Sequence, residues 1–182
     1  SNTVDAYAVN GWESMKLENH SGIVDNYRFP KGDPEVMARY NAPLYLAVKM
    51  NRKVVSTGDT TLVDTYIVNE KNLKGSYILN LVAKDESGNV VASHKERVTV
   101  KGGNDYGQCL QSGWTFIPKS KGYTRIEASL LKGKTELVKG DDLLFAVQLD
   151  TKGSTTQGSV ADTTGALVNF LRGVGMEVPV YK

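Results

Sequence analysis

Residues 77–100 read YILNLVAKDESGNVVASHKERVTV, and this stretch decides the fold class. In Tyr77–Ala83 the side chains alternate between two faces, and the face with Tyr77 and Leu79 is the more apolar, which is the period-2 pattern of a β-strand. Asp85–Asn89 then contains a Ser-Gly-Asn turn signal, and apolar β-branched residues follow it. The sequence therefore predicts a β-hairpin near the middle of the chain.

Further strand patterns lie on both sides of this hairpin. β-rich or alternating runs occupy, in chain order, Leu44–Met50, Val54–Val55, Leu62–Val68, Val90–Ala92, Val98–Val100, Gln108–Ile117, Tyr123–Leu131 and Leu137–Leu149. Seven or more short strands with Gly, Asn and Asp turns, and with no helical period among them, are typical of a β-sandwich. We predict a mainly β protein with an immunoglobulin-like sandwich over residues 43–151.

Residues 1–42 follow neither the strand period nor the helix period for long, and we interpret them as an irregular N-terminal arm. A short helix is predicted over 34–40, with Asp33 as its N-cap and Pro34 at its first position. The arm contains several large apolar residues despite its dense turn signals. We expect it to pack against another part of a longer protein.

Residues 152–182 change character again. Gly153–Gly158 is rich in Gly, Ser and Thr, as a linker is. Ser159–Ala161 and Met176–Tyr181 are predicted to be short strands, and the apolar spacing over 167–174 predicts a helix between them. A β-α-β unit of this size is smaller than an independently folding domain. We expect it to be the truncated beginning of an α/β unit.

Composition and charge limit the classes of function. The 182 residues include 22 Lys and Arg against 20 Asp and Glu, a formal net charge of +2, with the charges interspersed. No basic run could follow a phosphate backbone, which argues against nucleic acid as a partner. No stretch approaches the roughly 20 apolar residues of a membrane span. Cys109 is the single cysteine, which excludes an internal disulfide, and we expect it to be a small buried hydrophobe.

The sequence contains no phosphate loop, zinc-ligand cluster or GxSxG elbow. His20 and His94 are too few and too far apart to suggest a metal site. Asp64 and Glu127 fall at outward strand positions, and we interpret them as solvated residues rather than a catalytic pair. The acidic residues at 85–89 and 141–142 suit turn conformations. No catalytic residue, cofactor or metal ion is predicted.

Two aromatic residues are candidates for a specific role. Trp12 lies in the irregular arm, where an exposed ring could stack on a sugar, and it is the candidate carbohydrate contact. Tyr123 stands just before a late strand, where sandwich folds place a tyrosine corner whose hydroxyl bonds to the backbone. We predict that structural role for Tyr123. Trp114 is expected in the core, because tryptophan is highly buried on average.

Gly22–Lys31 reads GIVDNYRFPK and resembles the stretch that closes the catalytic barrel of family 2 glycoside hydrolases, the β-galactosidase and β-glucuronidase group. The predicted helix over 34–40 fits the position of the final barrel helix in that family. Four further stretches are similar to the immunoglobulin-like module that follows the barrel in bacterial members. They are Pro43–Lys49, Asp64–Glu70, Leu73–Gly75 and Gly122–Tyr123.

The resemblance implies a region from the C-terminal side of a retaining β-glycosidase. Residues 1–42 would be the tail of the barrel and a connector, 43–151 the sandwich, and 152–182 a linker and a truncated α/β unit. The family's two catalytic glutamates lie upstream, and no motif here matches theirs. Trp12 corresponds in this view to a substrate-contacting tryptophan near the last barrel strand. The implied partners are the barrel, the following α/β module and possible carbohydrate, and the implied location is periplasmic or secreted.

Two alternative functions remain open. A carbohydrate-binding module predicts a row of exposed aromatic residues on one sheet face or on the loops, and the strand patterns show few. A cell-surface adhesion repeat of fibronectin type predicts repeated copies with polar ends, which the apolar arm and the β-α-β tail do not fit. The leading hypothesis is a non-catalytic accessory domain of a family 2 glycoside hydrolase.

Overall fold

The computed structural model describes residues 11–13, 22–103, 107–148, 159–173 and 175–181. In chain order its strands are β1 (Leu44–Met50), β2 (Val54–Ser56), β3 (Thr61–Asn69), β4 (Gly75–Lys84), β5 (Val90–Val100), β6 (Gly107–Phe116), β7 (Gly122–Lys132) and β8 (Thr135–Val147). Two helices accompany them, α1 (Pro34–Tyr40) and α2 (Ala166–Gly173).

The strands form two sheets. One sheet has the order β1-β3-β6, and the other has the order β2-β8-β7-β4-β5. All pairings are antiparallel except that of β2 with β8. Along the chain, β2 belongs to the five-stranded sheet although its neighbours β1 and β3 belong to the three-stranded one, and the chain changes sheet again after β3, after β5 and after β6. The predicted mainly β sandwich is confirmed.

The core lies between the two sheets and follows from the alternation along the strands. In β4, Tyr77, Leu79, Leu81 and Ala83 are buried while the intervening residues are partly exposed. Both sheets contribute fully buried side chains, among them Leu46, Val63, Ile67, Leu79, Leu81, Ile126, Leu130 and Leu144. Burying one such side chain stabilises the fold by roughly 1.5–3 kcal/mol.

β1 and β8 approach each other closely across the sandwich at Gly140. A Cβ atom at this position would lie 1.7 Å from the carbonyl oxygen and 2.7 Å from the carbonyl carbon of Leu46. Both atoms belong to the backbone, so no side-chain rotation could relieve the overlap. The contact between the sheets therefore depends on the absence of a side chain at residue 140.

The predicted hairpin joins β4 to β5. Asp85 organises the turn, since its Oδ1 accepts hydrogen bonds from the backbone N–H groups of Ser87 (3.0 Å) and Asn89 (2.8 Å). Gly88 adopts a positive φ of 83°, a conformation that favours glycine. The two β-rich runs predicted after the turn are one strand, β5, because the chain between them stays paired with β4.

The arm contains the predicted helix. α1 begins at Pro34, and Asp33 caps it by accepting a hydrogen bond from the N–H of Glu35 (2.9 Å). Before it, single bridges join Val24 to Glu13 and to Pro30. The described residues of the arm that precede α1, 11–13 and 22–33, thus form only isolated bridges and turns, as expected of an irregular segment.

The tail contains the predicted helix, α2, but its two predicted strands are reduced to one parallel bridge between Val160 and Val180. Val160 donates to the carbonyl of Pro179 and accepts from the N–H of Tyr181, both at 2.9 Å. Pro179 has no N–H to donate, which limits further pairing. The linker at 153–158 lies outside the described residues. Neither described helix has the length and apolar character needed to span a membrane.

Candidate functional site

The stretch that resembles the barrel end folds as a tight turn around Asp25. Its Oδ1 accepts hydrogen bonds from the N–H groups of Tyr27 (2.8 Å) and Phe29 (2.9 Å). Arg28 adopts a positive φ of 66°, and its N–H donates to the carbonyl of Asp25 (3.0 Å). The aspartate of this stretch therefore has a structural function in the described residues.

Trp12, the candidate carbohydrate contact, is 64% exposed beside this turn. Its carbonyl accepts from the N–H groups of Ile23 and Val24, both at 3.0 Å, so its backbone is held in place while its side chain is exposed. Tyr27 and Phe29 are also exposed. Clusters of large exposed aromatic residues mark surfaces that bind a partner.

The tyrosine-corner geometry predicted for Tyr123 is found at Tyr77. Tyr77 begins the inward face of β4, is only 5% exposed, and donates its hydroxyl to the carbonyl of Lys74 (2.8 Å), three residues upstream. Tyr123 is 53% exposed, and its ring contacts the Phe145 ring. The difference arises because Tyr123 lies on the outward face of β7, with Thr124 facing the core instead.

Two residues expected in the core lie nearer the surface, because β6 is an edge strand of its sheet. Trp114 packs against the core but is only partly buried, and its ring stacks on His94 with the centroids 6.2 Å apart. Cys109 is exposed. The pKa of the Cys109 thiol is raised, mainly because its sulfur is partly desolvated and to a smaller extent because the Asp64 carboxylate lies nearby. The raised pKa disfavours the reactive thiolate.

Asp64 is more than a solvated surface residue. Its Oδ1 accepts hydrogen bonds from Ser112 Oγ (2.9 Å) and from the N–H of Gly113 (2.8 Å), where the β3–β6 pairing is irregular. Gly113 has a positive φ of 71° there. Asp64 thus fixes a bulge of β6, which is a structural function.

A polar cleft of about 340 Å³ lies on the outer face of the five-stranded sheet, beside α1. We call it the β7–β8 cleft. Its lining residues are Arg39, Asn80, Val82, Arg125, Glu127, Ala128, Ser129, Glu136, Lys139, Gly140 and Asp141. All of them except Arg39 belong to strands, which hold their backbones in fixed positions.

Asp141 is the centre of the charged groups in this cleft. Its side chain is 8% exposed and contacts two guanidinium groups, Arg125 on β7 and Arg39 on α1, whose Nη2 lies 3.2 Å from Asp141 Oδ1. Glu127, directly opposite Asp141 on β7, accepts from Lys84 Nζ at 2.7 Å. Of these pairs, the one between Arg39 and Asp141 connects the arm helix to the sandwich.

Two polar atoms in the cleft lack hydrogen-bond partners. Asp141 Oδ1 and Arg39 Nε are both buried, and neither makes a hydrogen bond within the described part of the chain. The Arg39 Nη2 contact is close, but its geometry is not that of a hydrogen bond. Buried polar atoms are normally hydrogen-bonded, so these two atoms, one of them in an ion pair but neither in a hydrogen bond, leave hydrogen-bonding capacity at the cleft that water or a ligand can use.

An exposed aromatic pair lies next to the β7–β8 cleft on the same sheet face. The rings of Tyr123 and Phe145 lie 4.7 Å apart between centroids, on directly paired positions of β7 and β8. Val54 on β2 pairs with Phe145 and is also exposed. Tyr123 is two residues from Arg125, about 7 Å along the strand.

Neither the cleft nor the aromatic pair is predicted from the sequence. Their signal is the outward set of β7, in which Tyr123, Arg125, Glu127 and Ser129 recur at every second position. That pattern predicts that the outward face of β7 is polar, with an aromatic residue at the N-terminal end of the strand. It does not reveal that Asp141 faces it from β8, because strand pairing cannot be read from one strand alone.

No group of three or more His, Cys, Asp or Glu side chains among the described residues could hold a metal ion. The acidic hairpin residue Asp85 is bonded within its own turn, and Asp142 pairs with Lys53 Nζ at 2.7 Å. These oxygens are therefore engaged by protein donors.

Comparison with known proteins gives only structural similarity. No family model and no curated protein matches the chain. The chain is similar to a glycosyl hydrolase family 2 member from Bacteroides cellulosilyticus, with a TM-score of 0.44 and 16% identity over 57% of this chain and 15% of that chain. It is also similar to a β-glucuronidase of glycoside hydrolase family 2, with a TM-score of 0.43 and 15% identity over 56% of this chain and 11% of that chain.

A third similar structure is a CARDB domain from Pyrococcus furiosus in complex with di-metal ions, with a TM-score of 0.39 and 14% identity over 57% of this chain and 87% of that chain. The chain thus spans 15% and 11% of the length of the two hydrolases above.

Proposed function

We propose that this chain is a non-catalytic accessory region of a family 2 glycoside hydrolase, following the catalytic barrel of a parent that hydrolyses β-glycosidic bonds. The main support is one continuous arrangement. The Gly22–Lys31 stretch, which resembles the barrel end, leads into α1, and α1 is joined to the sandwich through Arg39 and Asp141. Such an arrangement suits a connector that fixes the sandwich relative to a barrel. We propose a periplasmic or secreted location for the parent.

Glu127 and Asp141, two of the three carboxylates of the β7–β8 cleft, are poor candidates for hydrolysis. A retaining glycosidase needs one carboxylic acid that donates a proton and one carboxylate that attacks, about 5–5.5 Å apart. Glu127 and Asp141 are neighbours across the strands, but each is engaged by a cationic side chain. Cation pairing favours neither a protonated acid nor a free nucleophile, which supports a role without catalysis.

The arm supplies the surface for docking on the barrel. Trp12, Tyr27 and Phe29 are exposed around the Asp25 turn. In the proposed parent these rings are covered by the barrel, so that the arm contributes buried apolar area to the junction. Trp12 then lies either within this interface between the arm and the barrel or at its edge, where it contacts the substrate.

Tryptophan fluorescence tests this placement, because the chain has two tryptophans. Trp114→Phe leaves Trp12 as the single reporter. We expect acrylamide to quench Trp12 strongly in this chain and several-fold less in a longer polypeptide that includes the upstream region. The matched control, Trp12→Phe, reports Trp114 and is expected to be quenched equally in both lengths.

Equal quenching of Trp12 in the short and the long polypeptide would contradict the proposed junction. Reading the upstream coding sequence supplies an independent check, in which we expect a barrel with two glutamates at strand ends. Repeated sandwich domains in that region would favour the adhesion-repeat alternative instead.

A further inference from the structure

We propose that the β7–β8 cleft binds a neutral, hydroxyl-rich ligand, namely a glycan. This binding goes beyond the accessory role, because the arm and the sandwich could join a barrel to its neighbours with the cleft unused. Three observations support this binding: two buried atoms in the cleft without a hydrogen bond, the balance of the charges in the cleft, and the aromatic pair beside it.

The two atoms without a hydrogen bond indicate what a ligand can supply. Asp141 Oδ1 is ion-paired with Arg39 but can still accept a hydrogen bond, and Arg39 Nε can donate one. A hydroxyl group can donate one hydrogen bond and accept another, so a single sugar hydroxyl can satisfy both atoms. The Asp141 side chain is more than nine-tenths buried in the wall of the cleft, so the demand cannot be met by side-chain movement into bulk solvent.

The charges of the cleft exclude a strong preference for an ion. Arg39, Arg125 and Lys139 supply three positive charges, and Glu127, Glu136 and Asp141 supply three negative ones. An anion would be attracted by the three positive side chains and repelled by the three negative ones, and a cation would be repelled by the first set and attracted by the second. Asn80 and Ser129 add neutral donors and acceptors to the lining. A neutral polar ligand fits this composition best.

The aromatic pair gives the ligand a second contact. Tyr123 and Phe145 lie beyond Arg125 on the same sheet face, about 7 Å along β7 from the cleft wall. The apolar face of a sugar ring can pack on exposed aromatic side chains. A glycan of two or more units could therefore place one unit in the cleft and the next against Tyr123.

Amide chemical shifts provide the test. We expect titration of the full chain with lactose or cellobiose to shift the signals of Arg125, Glu127 and Ser129, and to leave those of β1 and β3 unchanged. Sodium sulfate and sodium glucuronate serve as anionic probes in parallel titrations. No shift at the cleft with any neutral sugar would overturn the proposal, as it would indicate that water alone fills the cleft. Shifts with the anions but not with the neutral sugars would overturn it equally.

Matched variants locate the binding. Asp141→Asn should weaken binding about tenfold, since a hydrogen bond to a charged group is lost. Asp142→Asn is the control, because Asp142 is the next residue on β8 and pairs with Lys53 instead of lining the cleft. Asn80→Ala, at a partly exposed position of β4, tests the cleft without removing an ion pair. Equal affinity of Asn80→Ala, Asp141→Asn and the original chain would contradict the assignment.

Discussion

At the scale of single residues, Gly140 allows β8 to approach the backbone of β1, and Tyr77 binds the carbonyl of Lys74 with its hydroxyl. The close approach at Gly140 could not be predicted from the sequence, because it depends on how β8 faces β1 across the core. The sequence predicts a tyrosine corner at Tyr123, whereas the hydroxyl bond of this kind is made by Tyr77, to the carbonyl of Lys74. Both tyrosines stand near strand starts, and only the burial of Tyr77 distinguishes them.

Gly140→Ala should lower the free energy of unfolding by at least about 3 kcal/mol, because the new Cβ overlaps the Leu46 backbone and the sheets must separate. Urea denaturation measures this change. Gly107→Ala is the matched control at a strand position where a Cβ meets no atom within 4 Å. Similar unfolding free energies for both variants would contradict the close contact between β1 and β8.

Tyr77→Phe should destabilise the sandwich by about 1–2 kcal/mol, since the Lys74 carbonyl loses its hydroxyl donor. Tyr123→Phe should change stability by less than about 0.5 kcal/mol, because that residue is exposed. Thermal or urea unfolding of both variants decides which tyrosine forms the corner. A larger loss for Tyr123→Phe would indicate that Tyr123, not Tyr77, forms the corner.

At the scale of elements, the sequence predicted α1 with its cap, α2 and the strands of the sandwich, because each has a clear local period or cap. It did not predict that the two runs after the hairpin form one strand, since Ser93–Arg97 is too polar to suggest a continuous pairing. The two tail strands were predicted from short apolar runs, which a single bridge and Pro179 interrupt. In each case the extent of the strand is set by its pairing with another strand, which the sequence of the strand alone does not reveal.

The β4–β5 hairpin should show an acid-sensitive stability. Hydrogen bonds from the Asn89 side chain and then from backbone N–H groups hold the pKa of Asp85 below its ordinary value. Their contribution is complete above the unfolded value of about 4 and is lost as the pH falls through the lower folded value. Urea unfolding at about pH 6 and about pH 3 should show a smaller acid loss for Asp85→Asn than for the original chain. Identical losses would show that Asp85 does not contribute.

The attachment of α1 depends on Arg39. Arg39→Gln should remove the guanidinium contact with Asp141 and speed amide hydrogen exchange in α1, while exchange in β4 and β7 stays the same. Arg52→Gln is the control, since Arg52 pairs with Asp59 at an exposed site away from α1. Unchanged exchange in α1 for Arg39→Gln would contradict the proposed connection between arm and sandwich.

At the scale of the whole molecule, the period-2 patterns were sufficient to predict a mainly β sandwich. They were insufficient for the candidate site, since the β7–β8 cleft is formed by Arg39 from the arm, Arg125 from β7 and Asp141 from β8. Arg125 and Asp141 lie on the two strands of the β7–β8 hairpin, whereas Arg39 comes from a helix far earlier in the sequence. They come together in one cleft because of the pairing of β7 with β8 and the position of α1 beside them. The position of α1 cannot be predicted from the sequence pattern of any single element.

The central claim is that this chain assists a glycoside hydrolase without being catalytic itself. Release of nitrophenol from 4-nitrophenyl β-galactoside and 4-nitrophenyl β-glucuronide by the purified chain tests this claim most directly. We predict rates equal to those of buffer alone, because Asp141 is engaged by Arg39 and Arg125 and Glu127 by Lys84, which leaves Glu136 without a second free carboxylate in the cleft. A rate that increases with the concentration of the chain and persists through repurification would contradict the claim.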